Sequence, residues 1–412
     1  MERLPGFRDF YPEPLPHNDV WSADARQYIF EQWRRVAKRY GFREYDGPPL
    51  EPLELFTTKS GEEIVGQLYN FTDKGDRAVS LRPEMTPTLA RMIAAHERNY
   101  KKPVKWFAIP QLFRYERQQK GRLREHFQLN ADLIGETDPA ADAELIALLI
   151  DTLRGFRLTA EDFVIRLSSR NAWQDFFRQG RGDPQHEYEF FQIIDKLERS
   201  APEETEKKLA AFGFSLAKVN EFIEAGKPSA ELESILQNLG ARGLKDYVKV
   251  DYRVIRGLAY YTGVVFEAFD RKGEFRAIAG GGRYNNLVKL ISGGKVDLPA
   301  LGFGMGDVVL LELLKARGLL PKFDAPMNVF VLIEDEALRG LSLKLVQDLR
   351  AAGHAVDYPL TPTKADKQFK RAQDLKVGHT ARVENDSYVR IRNLKTRDEI
   401  VAGFADAANH LG

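Results

Sequence analysis

The chain has 412 residues, 43% of them apolar, no cysteine and a formal net charge of +1. That length implies two or three domains rather than one core, and the absence of cysteine excludes disulfides, thiolate metal sites and cysteine nucleophiles. The balanced charge means that any RNA partner must be met by local basic clusters, and no run approaches the roughly 18 apolar residues of a membrane helix, so a soluble protein with no membrane partner is expected. Met1 to Gly6 has neither the apolar core of a secretory signal nor an Arg/Ser-rich transit pattern, which points to the cytoplasm.

Trp21, Ala25, Ile29, Trp33, Val36 and Tyr40 recur at steps of three and four and predict one amphipathic helix over 19–40, ended by Gly41. Pro48, Pro49 and Pro52 mark extended chain, followed by a short strand at 78–82 and a helix beginning near Pro87. Strands at 104–117 and 125–136 flank the polar tip Gln118 to Arg124. A helix over 139–154 and a strand at 163–167 follow, and 171–245 is rich in helix formers and reads as a helical insertion. Strands return at 248–256, 260–269, 275–279 and 300–304. Beyond Pro321 the order is strand (329–333), helix (337–352), strand (354–358), helix (364–376) and two short strands near 380 and 389, an α/β unit of its own.

Side chains alternate across a strand, so Arg114 and Glu116 share one face, and Gln128, Asn130 and Asp132 share one face of the neighbouring strand. Phe113, Tyr115, Phe127, Leu129, Ala131 and Leu133 then face the core. Alternation alone also describes a half-exposed hairpin with a solvated face. The loop between, with Lys120, Arg122 and Arg124 around Gly121, favours a phosphate-bearing partner.

This stretch resembles motif 2 of class II aminoacyl-tRNA synthetases, and its Arg-Tyr-Glu-Arg and Gly-Arg-Leu-Arg-Glu form resembles the histidyl-tRNA synthetases of class IIa. The resemblance implies that Arg114 grips the α-phosphate of ATP, that Glu116 and Arg122 belong to the same ATP site, and that Gln118, Gln119, Lys120 and Arg124 reach the acceptor end of tRNA. Arg256-Gly257-Leu258-Ala259-Tyr260-Tyr261 could, by itself, be a buried aromatic strand with a structural arginine. It resembles the histidyl signature, in which the arginine stands between the histidine carboxylate and the α-phosphate. Tyr261 with Asp132 would then hold the imidazole, with Tyr260 beside them. Leu81 to Thr88 could be only a helix start with proline and a capping threonine; in the family Glu84 and Thr86, assisted by Gln128, bind the α-amino group. Gly280 to Tyr284 and Gly302 to Gly306 resemble the strands flanking the adenine pocket, with Gly281, Gly282, Arg283 and Gly304 at the nucleotide; repeated glycines also mark bulges and close strand packing.

The resemblance implies an α+β catalytic core over 1–322, built on a mixed, mainly antiparallel sheet with the insertion at about 171–245, and a C-terminal α/β anticodon-binding domain over 326–412. It implies a histidine-tRNA ligase that uses ATP and Mg2+, acts on histidine and tRNA(His), and forms a homodimer through the 19–48 stretch. The basic helix around Lys364, Lys367 and Lys370 and the run Tyr388 to Lys395 supply local positive charge. The arginine that closes motif 3 is absent, Gly306-Asp307-Val308-Val309 standing there, with Arg283 as a basic residue that could compensate. Asp132 stands where many members carry glutamate. The rival reading is a non-catalytic, histidine-sensing paralogue resembling the regulatory subunit of ATP phosphoribosyltransferase, which lacks the anticodon-binding domain.

Overall fold

The structure, a computed structural model, describes residues 2–12, 21–60, 62–115, 123–197, 200–255, 261–323 and 327–411. The chain divides into two compact units, Met1–Leu320 and Pro321–Gly412. The first is built on a nine-stranded sheet whose strands in chain order are β1 (Arg43–Glu44), β2 (Val104–Ala108), β3 (Gln111–Phe113), β4 (Glu125–Ile134), β5 (Phe163–Ser169), β6 (Val248–Val250), β7 (Val264–Asp270), β8 (Ala279–Arg283) and β9 (Ala300–Gly306). Their spatial order is β6-β5-β7-β8-β9-β4-β2-β1, with β3 also paired to β4. The outermost pairs, β5 with β6 and β1 with β2, are parallel, and every other pairing is antiparallel.

Two helices cover the apolar face. Helix α1 (Ala23–Arg39) begins after Ser22, whose hydroxyl accepts the Ala25 N–H at 3.1 Å, and buries Ala25, Ile29, Trp33 and Val36. The predicted start at 19 gives way to this cap and to a short strand pairing of Trp21 and Ser22 with Phe10 and Tyr11. Helix α2 (Thr86–His96) lies elsewhere, and α3 (Pro139–Arg154), capped by Asp138, is buried along most of its length. Trp33 is fully enclosed, so Trp33→Ala costs about 3–5 kcal/mol. Leu129, Ala131 and Leu133 of β4 enter the same core. The even-numbered residues of that strand therefore point to the opposite face.

Several boundaries differ from expectation. The single strand over 104–117 is two, because Pro110 has no N–H for the ladder; its carbonyl instead accepts from Gln128 N–H at 3.2 Å. The strand at 275–279 lies at Ala279–Arg283, inside the glycine run, and the strand at 248–256 stops at Val250. The insertion holds helices at Arg170–Gln179, Glu187–Asp195, Pro202–Ala210, Leu216–Ala225 and Ala230–Ala241, packed around Trp173, Phe177, Phe190 and Phe214.

The second unit has a five-stranded sheet in the order Val356–Asp357, Val329–Leu332, His379–Val383, Tyr388–Asn393, Glu399–Gly403, parallel in its first two pairings and antiparallel in its last two. The helix Arg339–Ala351 packs on one face and Ala365–Asp374 on the other, each with its own apolar cluster. The strand Glu399–Gly403 was not expected from sequence: Ile400 and Val401 are both exposed and only Ala402 is buried, so it carries no clean alternation.

Candidate active site

A cavity of about 250 Å3 opens on the polar face of the first unit's sheet. Its floor is β4, which presents His126, Gln128, Asn130 and Asp132. The neighbouring β9 sets Gly302 opposite Asp132, Gly304 opposite Asn130 and Gly306 opposite Gln128. Those glycines make room for the floor. A Cβ on Gly302 would overlap Asp132 Oδ1, and one on Gly304 would stand 2.7 Å from the Gln128 amide carbon. His126 and Asp132 are six strand steps apart, so the floor is a trough roughly 20 Å long.

At one end Asp132 is almost fully buried. Its Oδ1 accepts a hydrogen bond from the Tyr284 hydroxyl, and its Oδ2 has no partner among the described residues. Burial pushes this carboxyl up to about 7, against the opposing pull of the Tyr284 hydrogen bond. The Tyr45 hydroxyl is likewise buried without a partner among the described residues, and burial together with the Asp132 charge holds its pKa well above that of a free phenol. Tyr261, Glu84 and Thr86 line the same cavity. Thr86 is the first residue of α2, and the N-cap position, Met85, makes no side-chain cap, so the capping-threonine alternative does not describe this helix start.

Arg114 lines the cavity from just beyond β3. Its Nε–H donates to the Pro83 carbonyl at 3.1 Å and its backbone N–H to the Arg124 carbonyl at 2.8 Å, so the segment bearing Glu84 and the chain at Arg124 are both tied to it. Tyr115 does not enter the core as alternation implied. Its backbone N–H bonds to the Gln67 carbonyl at 2.9 Å, which turns the chain out of the ladder. The ring is 51% exposed, packed edge-on to Tyr69 and covered by the Arg124 guanidinium 4.4 Å away.

The structure thus brings together Glu84, Thr86, Arg114, Gln128, Asp132, Tyr261 and Gly304. It does not bring Arg283 to them. Arg283 belongs to the core-facing side of β8, where its guanidinium is bound by Asp142 of α3 (Nε to Oδ2, 2.9 Å) and by the carbonyls of Glu136 and Asp138 at 2.9 and 2.8 Å. A guanidinium committed to a buried carboxylate and two backbone carbonyls is not available to a phosphate, so Arg283 does not supply the cation that the resemblance leads one to expect near Val309. Gly281 also faces away, in register with Phe266 and Phe303, and a Cβ there would overlap the Gly302 carbonyl. Gly282 packs against Val264 and Val265. Gly280 is the member of that run that lines the cavity. Arg256, Tyr260, Glu116, Gln118, Gln119, Lys120 and Arg122 lie outside the described residues.

His126, Asn130, Tyr284, Gly302, Gly306 and Val309 also line the cavity, although the sequence reading gave them no contact of their own. His126 and Asn130 were legible in the alternation that yielded Gln128 and Asp132, and Gly302 and Gly306 in the spacing that yielded Gly304. The Tyr284 contact, from 152 positions away, left no local signal.

Comparison with known proteins identifies the family. The family model described as histidyl-tRNA synthetase matches residues 18–307. The histidine--tRNA ligase of Opitutus terrae is 47% identical, over 97% of this chain and 95% of that protein. The crystal structure of histidyl-tRNA synthetase from Nostoc sp. PCC 7120 shares the fold with a TM-score of 0.77 at 24% identity, covering 97% of both chains. A structure from Bacillus halodurans C titled as an ATP phosphoribosyltransferase regulatory subunit/histidyl-tRNA synthetase shares it with a TM-score of 0.72 at 22% identity, over 90% of this chain and 96% of that one. With the match spanning 18–307 and the likeness extending over nearly the full length, this chain belongs to the histidyl-tRNA synthetase family.

Proposed function

We propose that this chain is a histidine-tRNA ligase that joins L-histidine and ATP to form histidyl-adenylate and pyrophosphate, then transfers the histidyl group to tRNA(His). The observation that carries the reading is the buried Oδ2 of Asp132, unpaired among the described residues, at the end of a polar trough that also holds Arg114. An unsatisfied buried acceptor costs on the order of 1–3 kcal/mol, which an imidazole N–H recovers. A slot built to hydrogen-bond a polar side chain rejects analogues lacking the donor by roughly 10⁴ to 10⁵ without editing.

The histidine carboxylate is the nucleophile, so no side chain need attack. It bonds to the α-phosphorus of ATP and pyrophosphate leaves; a terminal ribose hydroxyl of the tRNA then attacks the acyl carbon and AMP leaves. Glu84, Thr86 and Gln128 orient the α-amino group. Arg114, joined by Arg256, Glu116 and Arg122 on the family pattern, meets the negative charge that develops on phosphorus with fixed guanidinium groups. Among the described residues no cluster of three or more His, Asp or Glu side chains is arranged to hold a metal ion. In this reading Mg2+ enters on the ATP phosphates. The Lys364 to Lys370 helix and the rest of 326–412 read the anticodon arm, and a second copy docks along α1 and the segment after it.

Amino-acid-dependent ATP–pyrophosphate exchange tests the reading. Exchange is expected with histidine and with no other amino acid, and Arg114→Ala is expected to lower it by at least about 10²-fold. Histidine binding with no exchange would overturn the ligase in favour of the sensor, the alternative that Val309 in place of the motif 3 arginine keeps specific.

A further inference from the structure

The ATP end of the trough is held by a buried charge cluster that sequence patterning does not reveal. Arg8 reaches under the sheet and donates from Nε to Glu125 Oε1 at 2.6 Å and from Nη1 to Asp307 Oδ2 at 2.8 Å, with Nη2 bridging the second oxygens of both at 3.2 and 3.5 Å. The side chains of Arg8 and Glu125 are 1% exposed and that of Asp307 5%. The guanidinium is covered by the rings of Trp21 and Phe10, 4.5 and 5.0 Å away. Asp307 also accepts the backbone N–H of Phe127 at 3.0 Å, and Glu125 accepts from Gln111 at 3.0 Å. The N-terminal segment is tied in a second time, since the Arg124 N–H donates to the Gly6 carbonyl at 3.0 Å.

Both carboxylates sit one step from the cavity. Glu125 precedes His126, and Asp307, the first residue of the helix Asp307–Ala316, lies between Gly306 and Val309, all three of which line the trough at the end opposite Asp132. No cation stands at Val309, where the family's motif 3 arginine would be. With 1% exposure Arg8 cannot reach a phosphate itself. It can fix where the two walls stand, because a planar fork bound to two carboxylates sets their separation and angle in a way a point charge does not.

We propose that Arg8 is a positioning residue for ATP: by bridging Glu125 and Asp307 it sets the spacing between the start of β4 and the β9 exit, and so the width of the nucleotide end of the site. The inference rests on ATP being the second substrate. It gives the N-terminal segment a role in one substrate's affinity, beyond general stability.

The test compares wild type with Arg8→Lys, Arg8→Met and the triple variant Arg8→Met/Glu125→Gln/Asp307→Asn, which removes all three charges and leaves no carboxylate stranded if Arg8→Met alone fails to fold. Exchange kinetics are expected to give an ATP KM raised at least about tenfold in Arg8→Met and in the triple variant, with histidine KM within about twofold and partial recovery in Arg8→Lys. Titration calorimetry with a non-hydrolysable ATP analogue should show the same loss of affinity. A cooperative melt with unchanged ATP KM in the triple variant, or equal rises in both KM values, would reduce the cluster to a structural staple and overturn the proposal. Wild-type protein that binds the analogue but performs no exchange would sink the ligase reading instead, and calorimetry on the variants would still decide the role of Arg8.

Discussion

Asp132 shows how one residue's surroundings become a measurable property. Its carboxyl is raised from 3.8 to about 7, principally by burial. Between those values the folded state keeps a proton that the unfolded chain has lost. This contribution to stability is therefore fully present below 3.8 and disappears as the pH rises to about 7, a loss on the order of 4 kcal/mol at most. Asp142, raised to about 6 by burial against the pull of Arg283, adds a similar slope, but it does so equally in a variant that leaves it untouched. Comparing melting temperatures of wild type and Asp132→Asn between pH 4 and 8 isolates the first term: the wild type is expected to lose stability across that window more steeply than the variant, and parallel curves would contradict the assignment. The same change keeps an acceptor for Tyr284 but offers imidazole an N–H where it needs an oxygen. Histidine affinity is expected to fall by about 10- to 100-fold in titration calorimetry.

At the scale of the strand, the glycines of β9 are a consequence of what β4 carries. Gln128 and Asp132 lean across the neighbouring strand, and only a residue without Cβ leaves them in place. Gly304→Ala is expected to be cheap for the fold, because the overlapping group is the far end of a flexible glutamine, and costly for the site, because that glutamine is displaced into the cavity. The expected outcome is a melting temperature lowered by no more than about 2–4 °C, equivalent to roughly 1 kcal/mol in a large domain, with histidine KM raised at least about tenfold in exchange assays. A normal KM would mean that Gln128 does not contact the substrate.

The same strands mark what the sequence could and could not convey. The period of α1 and the alternation of β4 were readable because each has one buried face, and local pattern reports that directly. The position of β8 was not, since Phe275 to Ala279 has the better strand propensity and the true strand is a glycine run held by close approach to β9. Tyr115 and Arg283 were misplaced for a related reason. Their orientation is set by partners distant in sequence, Gln67 and Tyr69 for one and Asp142 for the other. The Arg8 cluster, joining positions 8, 125 and 307, is the extreme case.

Over the whole molecule, the trough and the C-terminal sheet fall on separate compact units. The trough, its glycine strands and the Arg8 cluster all lie within Met1–Leu320, and the family match at 18–307 stays inside it. The second unit buries Val329, Val331, Leu345, Val389 and Ile391 in a core of its own. Each unit therefore has the apolar interior that independent folding requires. A chain ending at Leu320 is expected to melt cooperatively and to keep histidine-dependent pyrophosphate exchange within about tenfold of the full chain, while its rate of charging tRNA(His) at limiting tRNA falls by at least about 10²-fold. The two readouts must separate for the division of labour to hold. Loss of exchange in a cooperatively folded fragment would mean that the second unit acts on the chemical centre, and undiminished charging would mean that 326–412 does not bind tRNA. In a fragment that keeps exchange, the ratio of the two rates, set against that of the full chain, measures what the C-terminal unit contributes to recognition alone.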